Sequence, residues 1–235
     1  MSKPLITIIT PTTGRDSLDF LIDSIKNQNI SVKHILLWND KREGRFLFPS
    51  LQNINPVLTQ ALPPSSLEVE QENYTSTCVV TKGNLKTSSL KSIGLMMADT
   101  DIVTFADDNV MWEQNHLELM LSLMRPSNWA YCRRKIWSKL PNRDFEYLGV
   151  DEFESMGDEA KTEYKTIDNN CLLFNRRLGT SASVIYRETK EGNDDKLMYE
   201  FLKKHGGNFA KTLQATVNIV CEDKLVEFYR TNCTY

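Results

Sequence analysis

The order of hydrophobic and polar positions divides the chain into short apolar runs alternating with stretches of helical period. Leu5 to Thr10 is rich in β-branched residues and predicts a strand that Pro11 closes. After the turn Thr12-Thr13-Gly14-Arg15, Leu18, Leu21, Ile22 and Ile25 follow the i, i+3, i+4, i+7 template of an amphipathic helix, with Asp16 or Ser17 as its cap. Val32 to Trp38 predicts a second strand ending in Asn39-Asp40, which completes a β-α-β unit. Lys41 to Ser66 carries Pro49, Pro56, Pro63 and Pro64 without a sustained period and reads as an irregular excursion.

The helical spacing returns at Leu90, Ile93, Gly94 and Met97, with Thr87 or Ser88 as caps, and Gly94 on that face predicts close packing. Ile102 to Ala106 predicts a short buried strand leading into Asp107-Asp108-Asn109, and Leu117, Met120, Leu121 and Met124 predict the next helix. Strands alternating with helices imply a parallel sheet. Beyond it, Trp129 to Trp137 reads as a strand around Arg133-Arg134-Lys135, and Ser138 to Asn170 as polar, acidic and irregular. Cys171 to Phe174 and Thr180 to Tyr186 read as strands. Leu197, Met198, Phe201 and Leu202 predict a helix stopped by Gly206-Gly207, and Thr216 to Val220 and Val226 to Tyr229 the final strands. With no internal repeat and no clean linker, residues 1–235 read as a single domain of two halves, 1–125 and 126–235.

Composition narrows the function classes. At 235 residues, 40% hydrophobic and 25% charged, the chain can build a sizeable core, which excludes wholesale disorder. Lys and Arg total 28 against 31 Asp and Glu, a formal charge of -3 that gives no drive toward nucleic acid. No apolar run approaches the roughly 18 residues of a membrane helix, and the amino end runs directly into a strand, so a cytoplasmic location is expected. Five cysteines without C-x-x-C spacing favour buried thiols over disulfides or a zinc site. His34, His116 and His205 are too scattered for a metal triad, Arg133-Arg134-Lys135 reads as a solvated basic edge before an anion site, and Trp112, Trp129 and Trp137 read as core.

Two acidic pairs compete as a divalent-metal site. Ligands in open α/β sheets gather at the carboxyl ends of strands, where Asp107, Asp108 and Asn109 fall and Asp99 and Asp101 do not. One or two carboxylates with room for a substrate's phosphates suit Mg²⁺ or Mn²⁺. By spacing alone the same acids serve equally well as the start of the next helix, stabilised by its positive end.

These residues resemble the family 2 glycosyltransferases of GT-A fold over most of the chain. Ile6 to Arg15, I-T-I-I-T-P-T-T-G-R, is similar to the family's opening strand and P-T-Y-N-R turn, with Gly14 in place of Asn. The resemblance implies nucleotide contacts from Pro11, Thr12, Thr13 and Arg15, and from Asp40 at the end of H-I-L-L-W-N-D. Lys91, where the family often has R-N-x-G, keeps a positive charge near the nucleotide. Thr104 to Asn109 with Trp112 and Leu117 is similar to the family's D-x-D region. It implies Asp108 and Asn109 at the metal, Mn²⁺ or Mg²⁺, and Asp107 toward the ribose or donor sugar. Asn193-Asp194-Asp195-Lys196-Leu197 resembles E-D-x-D-L and places Asp194 on the catalytic base, with Asp195 as the alternative. Tyr229-Arg230-Thr231-Asn232 resembles Y-R-x-H, with Asn232 as a third metal ligand.

The implied fold is α/β with a Rossmann-like, mostly parallel central sheet flanked by helices, a nucleotide-sugar-binding half at 1–125 and an acceptor-binding half at 126–235 containing mixed strands. The implied activity is inverting, metal-dependent transfer of a sugar from a nucleotide-diphosphate donor to an acceptor hydroxyl of a glycan or lipid-linked substrate, in surface polysaccharide or glycoconjugate synthesis. A lipid-linked acceptor would bring the chain to the inner face of a membrane as a peripheral protein. Two other readings remain: a sugar-phosphate nucleotidyltransferase, against which the glycine-poor first turn counts, and a noncatalytic nucleotide-sugar or glycan-binding module, which the departures at Asn193 and Asn232 permit.

Overall fold

The computed structural model describes residues 5–40, 67–71, 73–82, 85–140, 144–151, 166–188, 194–221 and 223–233. The excursion at 41–66, Asn193 and the side chain of Asp40 lie outside the described residues.

The first β-α-β unit forms where the apolar pattern places it, with β1 Ile6–Thr12, α1 Leu18–Lys26 and β2 Val32–Asp40. Every residue of β1 is buried, as a parallel strand covered on both faces requires. Pro11 does not close this strand: β1 pairs with β2 through Pro11↔Leu37 to Thr12↔Trp38. On the other flank, the ladder to β5 (Ile102–Phe105) already ends at Ile9↔Phe105, so the missing proline N–H leaves no partner unsatisfied there.

A hairpin of β3 Leu67–Gln71 and β4 Tyr74–Lys82 extends the sheet beyond β2. Helix α2, Thr87–Met97, then covers β1, with Lys86 rather than Thr87 or Ser88 in the cap position. Its Gly94 faces β1 so closely that an added Cβ would lie 2.3 Å from Ile9 Cγ2, the close packing that the helical face predicts. After β5 come β6 Val110–Trp112, α3 His116–Met124, β7 Trp129–Lys139, β8 Phe145–Asp151 and β9 Leu172–Asn175. The chain continues through α4 Arg176–Glu188, α5 Asp194–His205, β10 Phe209–Val220 and α6 Val226–Asn232.

One sheet carries all the described strands, in the order β3-β4-β2-β1-β5-β9-β7-β10-β6, with β8 paired to β7. Strands β1, β2, β4, β5, β7 and β10 point one way; β3, β6, β8 and β9 run against them. The sheet therefore has the expected mostly parallel centre, with mixed strands at 126–235.

Two expected strands are helices. The segment Thr180 to Tyr186 belongs to α4, whose buried positions Gly179, Ala182, Ser183 and Tyr186 repeat at helical spacing. Small residues let this helix approach α2, where Ser92 Oγ donates to Ser183 O at 2.9 Å, and its apolar-polar separation at helical spacing prevails over the β-propensity of Thr180, Val184 and Tyr186. Val226 to Tyr229 is α6, which buries only Tyr229, so the β-propensity of Val, Phe and Tyr yields to packing. Strand β8 lies within the stretch expected to be irregular.

His34 is a satisfied core histidine, its two ring nitrogens 2.8 Å from Tyr74 Oη and 2.8 Å from Thr10 Oγ1. Burial, with a contribution from Lys26, lowers its pKa from 6.5 to about 3. The folded chain thus refuses a proton that the unfolded chain binds below pH 6.5. This stabilisation is full above that pH and is lost as the pH falls toward 3, with a slope of at most about 1.4 kcal/mol per pH unit. Urea unfolding of His34→Asn across this window is expected to show a shallower acid slope than the wild type, although its stability at neutral pH is lower.

Candidate functional site

The site lies where the carboxyl ends of β1 and β5 meet the amino end of α5. Side by side in the sheet, β1 and β5 bring the turn at Thr12 to Arg15 against the turn at Asp107 to Asn109. Thr12 Oγ1 donates to Asp108 Oδ2 at 2.7 Å and accepts from Gly14 N at 2.9 Å, and Arg15 Nη1 lies 3.4 Å from Asp108 Oδ1. Asp108 is buried, whereas Arg15 is largely exposed and Thr13 lies on the surface. Gly14 has a positive φ of 79°, and the end of the Trp38 ring occupies the space where a Cβ would stand. The departure from Asn at this position therefore follows from Trp38 packing over the turn.

Across the site, α5 opens with Asp194 and Asp195 in its first turn. Lys91, buried on α2, reaches Asp194 Oδ2 at 2.8 Å and lies 3.7 Å from Asp107 Oδ1. Its charge is thus engaged by two carboxylates of the site. Burial alone would lower the Lys91 pKa, but Asp107, Asp194 and Asp195 raise it well above the usual lysine value, so it stays charged.

The carboxylates respond in opposite directions. Burial first, then the neighbouring Asp168 and Asp194 charges, push Asp195 well above the ordinary range against the pull of Lys91. Burial acts on Asp194 too, but the charge and hydrogen bond of Lys91, with a backbone hydrogen bond, hold it below that range. Burial likewise raises Asp107, with Lys91 opposing. The adjacent pair thus consists of an ionised Asp194 and an Asp195 that favours its proton.

The residues that join these groups were not visible in the sequence. Asn170 Oδ1 accepts from Asp107 N at 2.6 Å, and Asn170 Nδ2 donates to Asp107 Oδ2 at 3.0 Å and Asp168 Oδ1 at 2.7 Å. Asn169 N donates to Asp195 Oδ1 at 3.1 Å. Arg134 binds Asp168 through Nη1, Asp151 Oδ2 through Nε at 2.8 Å and Tyr229 Oη at 3.2 Å. The basic run of β7 is therefore no solvated edge at Arg134, which is buried among acids, and Lys135 pairs with Glu113 at 2.7 Å.

Several other sequence candidates are placed differently. Asn232 is exposed on α6 and donates its amide to Phe228 O at 2.8 Å; Tyr229 is the residue of that run that reaches the site, through Arg134. Asn109 is half-buried in the turn before β6, and Pro11 is buried beneath the site. His116 pairs with Thr216 Oγ1 at 2.8 Å, Trp112 and Trp129 are buried in the core, and the five cysteines are free thiols, four of them buried. Among the described residues, no three or more His, Cys, Asp and Glu side chains converge as a ready-made metal cage. Among the described residues, no helix is long and apolar enough to cross a membrane.

No protein-family model and no curated protein matches the sequence. Solved structures do match. Crystal structures of S. aureus TarS superpose with a TM-score of 0.61 for residues 1–349 in complex with UDP-GlcNAc, at 12% identity over 93% of this chain and 59% of that one. A second TarS structure gives 0.59 at 11% identity over 92% and 37%, so the chain spans 37% to 59% of the length of these two structures. The 4-diphosphocytidyl-2C-methyl-D-erythritol synthase of Anaerococcus prevotii gives 0.50 at 11% identity, over 97% of this chain and 95% of that one. Identities this low speak to architecture alone: the chain has a mixed α/β fold of GT-A type, similar to that of TarS.

Proposed function

We propose that the chain is a metal-dependent glycosyltransferase that moves a sugar from a nucleotide-diphosphate donor to an acceptor hydroxyl with inversion. The observation that carries this reading is the convergence of the Thr12 to Arg15 turn, Asp107-Asp108 and Asp194-Asp195 at one end of a sheet whose fold is shared with TarS, crystallised with UDP-GlcNAc. One protein carboxylate completed by the donor's phosphates is a donor set that Mn²⁺ and Mg²⁺ accept. Asp108 fits it: among the described residues its Oδ1 is paired with Arg15, whose largely exposed guanidinium would face the diphosphate. Asp108 and Asn109 would hold the ion, which when bound supplies positive charge against the departing nucleoside diphosphate.

The remaining chemistry belongs to the chain's own residues. Thr12 fixes the Asp108 carboxylate, and Arg15 offers a bidentate partner to a phosphate. Asp194, kept ionised by Lys91, accepts the proton as the acceptor oxygen bonds to the anomeric carbon and the bond to the phosphate oxygen breaks. Such a single displacement inverts the anomeric centre.

Calorimetry with uridine, guanosine, thymidine and cytidine diphosphate sugars, each with and without Mn²⁺, tests the donor. Asp108→Ala is expected to weaken Mn²⁺-dependent binding of the preferred donor on the order of a hundredfold, from the loss of a charged ligand worth several kcal/mol. Unchanged binding would remove Asp108 from this role. A second reading, nucleotidyl transfer, is favoured by the near-complete length match to the erythritol synthase. Release of pyrophosphate from a nucleoside triphosphate would establish it over sugar transfer. Donor binding without transfer or hydrolysis across a broad acceptor panel would instead make the chain a binding module.

A further inference from the structure

Asp107 and Asp195 stand on different elements, and the short 3-10 turn Asn169–Cys171 with its cap Asp168 lies between them. We propose that Asp168, Asn169 and Asn170 form a clamp anchored on Arg134 that sets Asp107 against the Asp194-Asp195 pair, with Asn170 as its positioning residue. The proposal rests on the reading of the site given above.

Asn170 is buried and uses both ends of its amide on one neighbour. Its Oδ1 takes the Asp107 backbone N–H and its Nδ2 holds Asp107 Oδ2, so main chain and carboxylate are fixed together. The other hydrogen on Nδ2 goes to Asp168 Oδ1, which also accepts Asn170 N at 2.8 Å. Every hydrogen-bonding atom of the Asn170 side chain is thereby committed, and no rotation keeps the set intact. With Oδ2 held, Asp107 Oδ1 is left without a hydrogen bond, 3.7 Å from Lys91 Nζ.

The anchor is equally specific. Asp168 Oδ2 is bound by Arg134, which grips Asp151 on β8 and Tyr229 on α6 as well, so the turn is tied to three elements outside the site. The neighbouring Asn169 N–H reaches Asp195. Since Asn169 and Asn170 are adjacent in one turn, a shift at Asp107 is transmitted to Asp195 through a single peptide unit. Supporting shells of this kind orient the groups that touch a substrate, and their loss typically reduces function by about 10- to 100-fold.

The test combines Asn170→Ala, and Asn170→Ser should the first not fold, with Asp107→Ala and the double variant. Native-state amide exchange at Asp107 is expected to accelerate at least about tenfold in the Asn170 variants, while a cooperative unfolding transition is retained. Donor affinity and kcat are expected to fall about 10- to 100-fold, and this loss is expected to vanish in the Asp107→Ala background, because Asn170 acts through Asp107. Unchanged Asp107 protection, or losses that multiply independently, would overturn the clamp. Should the wild type bind no nucleotide, the functional reading falls, and Asp107 exchange still decides the clamp.

Discussion

Asp194→Asn is expected to reduce sugar transfer by about a thousandfold while leaving Mn²⁺-dependent donor binding within a few-fold of wild type. The amide keeps the shape of the carboxylate and an oxygen for Lys91 Nζ, which sits 2.8 Å from Asp194 Oδ2, but it cannot take a proton. Asp195→Asn is the informative contrast. Asp195 favours its protonated form, which an amide imitates, and the Asn169 N–H it receives can be accepted by an amide oxygen as well. Its transfer rate is therefore expected to stay within about tenfold of wild type. Single-turnover transfer and calorimetry on both variants check the pair. Wild-type turnover by Asp194→Asn would remove it as the base, and a collapse confined to Asp195→Asn would move the role there.

Arg134→Met is expected to cost about 3–5 kcal/mol of stability, read as a melting temperature lower by roughly 10 °C. The methionine fills much of the space but leaves Asp151 and Asp168 buried without their cation, and Tyr229 Oη loses its contact. Burial alone would disfavour the charged arginine, yet Asp168, Tyr229 and Asp151 hold it firmly protonated, so the network functions as a unit. Calorimetric melting measures the loss. A midpoint within about 2 °C of wild type would show that these ion pairs only offset their own desolvation.

The elements legible in the sequence are those whose buried faces are built from large apolar side chains. Leu18, Leu21, Ile22 and Ile25 mark α1, and the all-buried β1 stands out by its β-branched run. Helix α4 was hidden because Thr180, Val184 and Tyr186 favour strands by local propensity, although its apolar and polar residues separate at helical spacing. The Asp107-Asp108 pair was legible because a positional rule ties ligands to the carboxyl ends of parallel strands. The clamp was not, because its members are polar residues in an aperiodic stretch. Arg134 meets Asp168 across 34 residues and Asn170 meets Asp107 across 63, pairings that no local spacing encodes. Lys91 was legible as a cation, but only the fold reveals that acids on both sides engage it.

The order of strands also bears on how the chain is made. Strand β6 comes early but pairs with β10, through Val110↔Ile219 to Trp112↔Val217, and β5 acquires its second neighbour only when β9 arrives. A nascent polypeptide that has emerged only as far as α3 therefore holds an open edge at β5 and a ribbon at β6 awaiting its mate. Until the residues near 220 leave the ribosome, these unpaired backbone groups remain open to neighbouring chains.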